Sequence, residues 1–156
     1  MILAVLDDLM FTSKIKTVAS QLGVPIAFAR SAEGALADMR RNPPSLVILD
    51  LNSPRVDPLG TVGSMKADPA LAAIPTVGFA SHVQTDVIEA ARRAGVGEVM
   101  ARSAFAQRLP EILERFMEEL APLERFEEIL KRLVDVHKQA CALFRAHLVA
   151  TDDQQS

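Results

Sequence analysis

The chain has 156 residues, of which 49% are hydrophobic and 24% are charged, with a formal net charge of −3 at pH 7. These values are typical of a folded globular protein and argue against binding to nucleic acid or to an anionic membrane surface. Trp and Tyr are absent and Cys141 is the single cysteine, which leaves no base-stacking surface, intramolecular disulfide or cysteine-based zinc site and favours a cytoplasmic protein.

Short apolar runs alternate with amphipathic stretches along the first 120 residues. Several runs are apolar on both faces, as the strands of a parallel sheet covered on both sides must be. The predicted strands are 2–6, 24–28, 46–49, 75–79 and 96–100. The predicted helices are 13–22, 32–39, 59–65, 83–94 and 110–120. Five strands alternating with five helices indicate a doubly wound α/β domain.

Residues that begin or end helices support these boundaries. Gly23 and Gly95 each follow a helical stretch and predict its end, because glycine readily adopts the left-handed conformation found there. Ser31 is a suitable N-cap for the second helix. Pro58 and Pro110 occupy the first helical position of the third and fifth predicted helices, where a missing N–H costs nothing.

The stretch after residue 120 predicts a sixth helix over about 121–150, followed by a polar tail at 151–156. Apolar or weakly polar side chains recur every three or four positions along one face of this helix. They are Leu123, Phe126, Leu130, Leu133, His137, Ala140, Phe144 and Leu148. In aqueous solution, a helix face this apolar must be buried against another protein surface. We favour a homodimer formed through this helix, with packing onto its own α/β domain as the alternative.

Acidic residues follow the first and third predicted strands. Asp7 and Asp8 come directly after the first strand, and Asp50 follows the third. These two strands are commonly neighbours in doubly wound sheets, whose sites lie beyond the carboxyl ends of the strands. Three converging carboxylates repel one another unless a cation compensates them, and Mg²⁺ prefers such oxygen ligands. The alternative is that each aspartate only caps the helix that follows it.

These residues resemble the receiver domain of two-component response regulators. The resemblance rests on Asp7 and Asp8, on the run LVILDLNSP over 46–54 that contains Asp50, and on Ala94-Gly95 before the fifth strand. It implies a flavodoxin-like five-stranded parallel sheet with strand order 2-1-3-4-5 and a C-terminal helical extension. The expected organisation is a receiver-like domain over 1–120, the extension over 121–150 and the tail over 151–156.

The resemblance also implies a mechanism. Asp50 would accept a phosphoryl group from a sensor histidine kinase, a phosphotransfer protein or a small phosphodonor. Mg²⁺ would be held by Asp8, Asp50 and the backbone carbonyl of Asn52, with Asp7 binding a coordinated water. Only the backbone of Asn52 is needed for this role. A downstream protein partner would then read the modification.

Several positions depart from the family pattern. Ala80 stands where the family has Thr or Ser, and the adjacent Ser81 is a poor substitute because neighbouring strand residues point to opposite faces. Arg102 replaces the family's lysine, Ser103 the proline after it, and Val99 the aromatic switch residue. We favour an atypical receiver that accepts a phosphoryl group on Asp50. The alternative is a phosphorylation-independent pseudo-receiver that acts as an interaction or dimerisation module.

An enzyme function is less well supported by the same residues. Asp50-Leu-Asn52 is also similar to the first motif of haloacid-dehalogenase-type phosphatases. Those enzymes need a second aspartate where Asn52 stands, and a neutral amide cannot act as a general acid. We therefore expect a signalling protein and not an enzyme.

Overall fold

The computed structural model describes residues 1–81, 85–117, 130–131 and 133–139. The chain divides into two units, 1–117 and 118–156. The first unit contains, in chain order, β1 Ile2–Val5, α1 Leu9–Leu22, β2 Ile26–Ala29, α2 Ala32–Arg41, β3 Leu46–Asp50, a 3₁₀ turn Pro54–Val56, α3 Pro58–Ala67, β4 Thr76–Ala80, α4 Thr85–Ala94 and β5 Glu98–Ala101. A helix that we label α5 covers 102–117 and follows β5 with no residue between them.

The five strands form one parallel sheet in the order β2-β1-β3-β4-β5. The predicted fold class is therefore confirmed. Strand β1 lies beside β3 with Val5 opposite Leu49, so the residues that leave the two strands emerge at the same edge. Strand β3 is central, and Asp50 at its end lies opposite Phe79 of β4.

Both faces of the sheet are buried, which explains the two-sided apolar runs. Alternate residues of each strand point to opposite faces, so Ile48 and Phe79 pack on the side of α1 and α5, while Leu49 packs against α2 and α3. On the first side Phe79 lies between two other rings, 4.9 Å from Phe11 and 4.7 Å from Phe105 between centroids. This aromatic cluster fills the space directly beneath the carboxyl edge of the sheet.

Two helices begin earlier than predicted. Helix α1 begins at Leu9 because the carboxylate of Asp8 accepts the backbone N–H of Phe11 and caps the first turn. The prediction that Pro110 begins the last helix of the domain was wrong, since this exposed residue lies within α5. A proline in that position leaves the carbonyl four residues earlier, at Ala106, without its usual helical donor.

The other boundary signals behave as predicted. Ser31 accepts the backbone N–H of Gly34 and caps α2. Gly23 and Gly95 follow α1 and α4 with φ of 69° and 99°, in the left-handed region that favours glycine. Asp57 caps α3 through Gly60 N–H and itself has φ of 37°, a conformation that costs energy in a non-glycine residue.

Part of the predicted C-terminal helix lies in the described residues. Residues 130–131 and 133–139 are helical, while the rest of 121–150 and the tail 151–156 lie outside the described residues, as does the predicted start of the fourth helix at 83. Across the part of the chain that the structure describes, no helix is long and apolar enough to cross a membrane.

Candidate functional site

Asp50 is the buried carboxylate at the centre of the candidate site. It ends β3, is 5% exposed, and its Oδ1 accepts the backbone N–H of Asn52 at 3.0 Å. Burial raises the pKa of Asp50, while the Asn52 N–H and the guanidinium of Arg102 oppose that rise, and the nearby charges of Asp7 and Asp8 add to it. The structure thus brings Asp7, Asp8 and Arg102 within electrostatic range of Asp50.

Asp8 has two structural roles. One carboxylate oxygen, Oδ1, accepts the backbone N–H of Phe11 at 2.9 Å, and the other, Oδ2, forms an ion pair with the guanidinium of Arg102. The Phe11 N–H first, and Arg102 second, hold the pKa of Asp8 below its usual value. The helix-capping alternative is therefore correct for Asp8, but α1 and α3 are capped by Asp8 and Asp57, so it does not account for Asp7 or Asp50.

Asp7 connects the two loops that form the site. Its Oδ1 accepts a hydrogen bond of 2.6 Å from the hydroxyl of Ser53, which is 5% exposed in the loop after β3. Sequence reasoning did not single out Ser53, because a serine three residues after the acceptor aspartate carries no distinctive signal. The contact fixes Asp7 beside the loop that carries Asn52.

Arg102 crosses the site from the first position of α5. Besides pairing with Asp8, its guanidinium lies over the ring of Phe11, 4.2 Å from the centroid, and 5.9 Å from the centroid of Phe79. The side chain is 29% exposed. The sequence identified the position as a replacement for lysine but could not show that its main partners are Asp8 and Phe11.

The loop after β4 is tied to the loop after β3. The side-chain carbonyl of Asn52 accepts the backbone N–H of Ser81. The metal-binding role expected of Asn52 uses only its backbone carbonyl, and its side chain makes this separate contact. Ala80 ends β4 with 1% exposure and no hydroxyl, and Val99 of β5 is half-buried against the core on the α3 side of the sheet.

The donor types at this edge suit Mg²⁺, since the ion prefers carboxylate and carbonyl oxygens. Their positions in this structure, however, do not form a complete metal site. Among the described residues, no three Asp, Glu, His or Cys side chains are grouped so that they could hold a metal ion. One oxygen of the expected ligand Asp8 is already paired with Arg102. The residues therefore fit the ion by chemistry, and Arg102 must leave Asp8 before that oxygen can serve as a ligand.

The chain is similar to solved structures of one class of protein, the response regulators. Scans of protein-family models and of curated proteins find no match. Solved structures do match. The receiver domain of NtrX from Brucella abortus is 27% identical, with a TM-score of 0.64 over 76% of this chain and 98% of that one. The phosphorylated cyanobacterial phytochrome response regulator RcpA is 25% identical, with a TM-score of 0.62 over 76% and 91%. The Mn²⁺-bound form of response regulator Rcp1 is 21% identical, with a TM-score of 0.62 over 71% and 89%.

The chain thus carries a CheY-like α/β domain with its acidic residues at the carboxyl edge of the sheet. More specifically, its similarity is to the receiver domain of two-component response regulators, which confirms the resemblance seen in the sequence.

Proposed function

We propose that this chain is an atypical response-regulator receiver that accepts a phosphoryl group on Asp50 and signals through protein–protein contacts. The observation that carries the proposal is the setting of Asp50, which is buried at the end of the central strand with Asp7, Asp8 and Arg102 acting on its charge. The similarity to RcpA, whose structure is that of a phosphorylated regulator, supports it. The activity is that of a cytoplasmic signalling module and not of an enzyme.

The proposed reaction is a transfer of one phosphoryl group. An oxygen of the Asp50 carboxylate attacks the phosphorus of a phosphohistidine on a kinase or phosphotransfer protein. A new O–P bond forms as the P–N bond breaks, and the electron pair leaves with the imidazole, which takes a proton from water. The attack requires the ionised carboxylate, and the positive charge of Arg102 favours that form.

The proposal includes a magnesium ion. The residues that would hold it are Asp8, Asp50 and the backbone carbonyl of Asn52, with Asp7 acting through a water. When bound, the ion supplies positive charge to the phosphoryl oxygens. The Mn²⁺-bound form of Rcp1 shows a divalent cation in a protein with this fold, which is consistent with the proposal.

Intact mass measurement tests the phosphoacceptor directly. The full chain is incubated with a small acyl phosphate and Mg²⁺, and we expect a single phosphoryl adduct that Asp50→Asn abolishes. Asp57→Asn is the matched control, because Asp57 is a nearby exposed aspartate that caps α3 and faces no phosphoryl site in this proposal. An adduct that survives in Asp50→Asn, or no adduct on the unmodified chain, contradicts the proposal.

A pseudo-receiver is the second candidate, and the Asn52–Ser81 contact favours it. That hydrogen bond joins the loops after β3 and β4 without any phosphoryl group. Ala80 offers no hydroxyl to a phosphoryl group, which removes on the order of 1.5–3 kcal/mol of switching bias. Two results together would support this candidate. The chain would form no phosphoryl adduct, and the NMR amide chemical shifts of β4 and β5 would not change when a phosphoryl mimic is added.

We also propose a homodimer formed through the C-terminal helix. Within residues 130–139, the described apolar side chains are exposed: Leu130 by 46%, Leu133 by 59%, Val134 by 52% and Val136 by 62%. Leu130, Leu133 and Val134 share one helical face by their spacing of three and four residues. Pairing of two such faces would remove this apolar surface from water.

A further inference from the structure

A single side chain links the start of α5 to the start of α1 across the acidic site. The guanidinium of Arg102 pairs with Asp8 and lies over the ring of Phe11, with its Cζ 4.2 Å from the ring centroid. Asp8 and Arg102 are 94 positions apart in the sequence, and they meet because β1 and β5 end at the same edge of the sheet. Arg102 therefore occupies the space over Asp8.

Both members of the ion pair are held in position independently of each other. The second oxygen of Asp8 is fixed by the N–H of Phe11, which anchors the carboxylate to α1. The planar guanidinium is fixed by its contact with the Phe11 ring, an arrangement that a lysine ammonium does not reproduce. Little side-chain freedom remains to be lost when the two groups meet, so the pair is favoured over an ordinary surface pair.

We propose that Arg102 is the resident cation of the acidic site and that a divalent cation must displace it from Asp8 in order to bind there. Arginine remains charged at every accessible pH, so this internal cation is always present. The charges of Asp7, Asp8 and Arg102 all act on Asp50, so three carboxylates lie near one guanidinium, and this excess of acidic groups still attracts a cation. Metal binding is then weak and competitive with the Arg102–Asp8 pair. The inference deepens the magnesium part of the proposed function and rests on it, but it does not require that Asp50 be phosphorylated.

Direct titration with Mg²⁺ tests the competition. Arg102→Met removes the charge while leaving an apolar side chain on the Phe11 ring. We expect Arg102→Met to bind Mg²⁺ about three- to fivefold more tightly than the unmodified chain, which corresponds to the upper part of the range for one partly exposed ion pair. Arg108→Met is the matched control, since Arg108 also lies on α5 but pairs with Glu98 at 3.2 Å. We expect its affinity to stay within about twofold of the unmodified chain, because a distant charge is screened by salt.

Three outcomes overturn the inference: equal or weaker binding by Arg102→Met, an equal gain in Arg108→Met, or no binding by any of the three proteins. A second measurement on the unmodified chain covers the case in which Arg102→Met fails to fold. The side-chain Nε–H signal of Arg102, followed by NMR during the titration, should move to the position of a solvent-exposed arginine as the metal saturates. An unmoved signal at saturation overturns the inference as well.

The same experiments separate this inference from the proposed phosphoryl transfer. If Mg²⁺ competes with the Arg102–Asp8 pair but no adduct forms on Asp50, the proposed phosphoacceptor role is refuted and the proposed role of Arg102 stands. If the adduct forms but Arg102→Met binds Mg²⁺ no more tightly than the unmodified chain, only the proposed role of Arg102 is refuted.

Discussion

The hydroxyl of Ser53 and the carboxylate of Asp7 are joined by a hydrogen bond of 2.6 Å, although the two residues are 46 positions apart in the sequence. Ser53 is almost fully buried, and its partner carries a charge. The bond therefore fixes the loop after β1, which carries Asp7 and Asp8, to the loop that directly follows Asp50 at the end of β3.

Replacement of Ser53 by alanine should destabilise the protein. The change leaves Asp7 without its donor, and we expect the free energy of unfolding to fall by about 1.5–3 kcal/mol, as for a hydrogen bond to a charged group. Urea unfolding of the full chain measures it. Ser64→Ala, at an exposed position of α3, is the control and should change stability by less than about 0.5 kcal/mol. Equal effects of the two changes would contradict the assigned role of Ser53.

The charge of Asp8, which accepts the Phe11 N–H and pairs with Arg102, should make stability depend on pH. Its pKa is lowered in the folded state, so its contribution is present above the ordinary pKa of an aspartate and is lost as the pH falls through the folded value. Asp8→Asn keeps an N-cap residue but removes the charge. We expect it to cost about 0.5–1 kcal/mol at pH 7, a figure that allows for solvent screening, and nothing once Asp8 is protonated. Urea unfolding at a series of pH values tests this, and a cost that persists undiminished in acid would show that the charge is not responsible.

Asp50 should behave in the opposite way. Burial raises its pKa in the folded state, so the ionised carboxylate lowers stability at neutral pH, and that penalty disappears as the pH falls below the folded value. We expect Asp50→Asn to raise the free energy of unfolding by about 1 kcal/mol at pH 7, because an amide is less costly to bury than a charge. The gain should vanish in acid. A loss of stability at pH 7 would show that the Asn52 N–H and Arg102 outweigh the cost of burial.

The side chain of Asn52 should hold the loop after β4. Asn52→Ala removes the acceptor of the Ser81 N–H, and we expect hydrogen exchange of the Ser81 amide to accelerate about fivefold or more, the factor that corresponds to one ordinary hydrogen bond. Amide exchange followed by NMR gives the rate. Asn42→Ala, at the exposed C-cap of α2, should leave the Ser81 amide unchanged. An unaltered rate in Asn52→Ala would mean that another group already protects this amide.

The oligomeric state should depend on the apolar face of the C-terminal helix. Leu133→Asp places a charge on the exposed face that carries Leu130 and Val134, and we expect the full chain to become monomeric. Light scattering measures the mass in solution. Asp135→Asn is the control, since that residue is exposed and two positions away from Leu133 on the helix. A monomer before any substitution, or a dimer that survives Leu133→Asp, would remove this proposal.

The sequence predicted the architecture because the sheet is covered on both sides. Two-sided burial produces continuous apolar runs that stand out from the amphipathic helices, and Gly23 and Ser31 mark helix boundaries by backbone requirements that are local. Pro110 misled the prediction for the same reason. A proline usually marks a first turn, and only the packing of neighbouring residues on α5 explains a helix that continues through it.

The partners of the site residues were harder to predict. Asp50 and Asp8 could be placed at one edge from strand order, because strand ends are positions along the backbone. The contacts of Ser53 with Asp7 and of Arg102 with Asp8 depend on side-chain directions in loops and helix starts that are 46 and 94 residues apart in sequence. No periodicity encodes such contacts, so the sequence supplied the charges and not their pairing.

The direct junction between β5 and α5 has a mechanical consequence. Ala101 ends the strand and Arg102 begins the helix, so no loop residue separates β5 from α5. The guanidinium that pairs with Asp8 therefore moves together with the first turn of α5. A partner protein that tilts α5 on binding would move Arg102 away from the acidic residues, and a cation that displaces Arg102 would favour the tilted position of α5. Thermodynamic linkage makes the two effects equal in free energy. Cation binding at the site and partner binding to α5 would therefore each change the affinity of the other by the same factor.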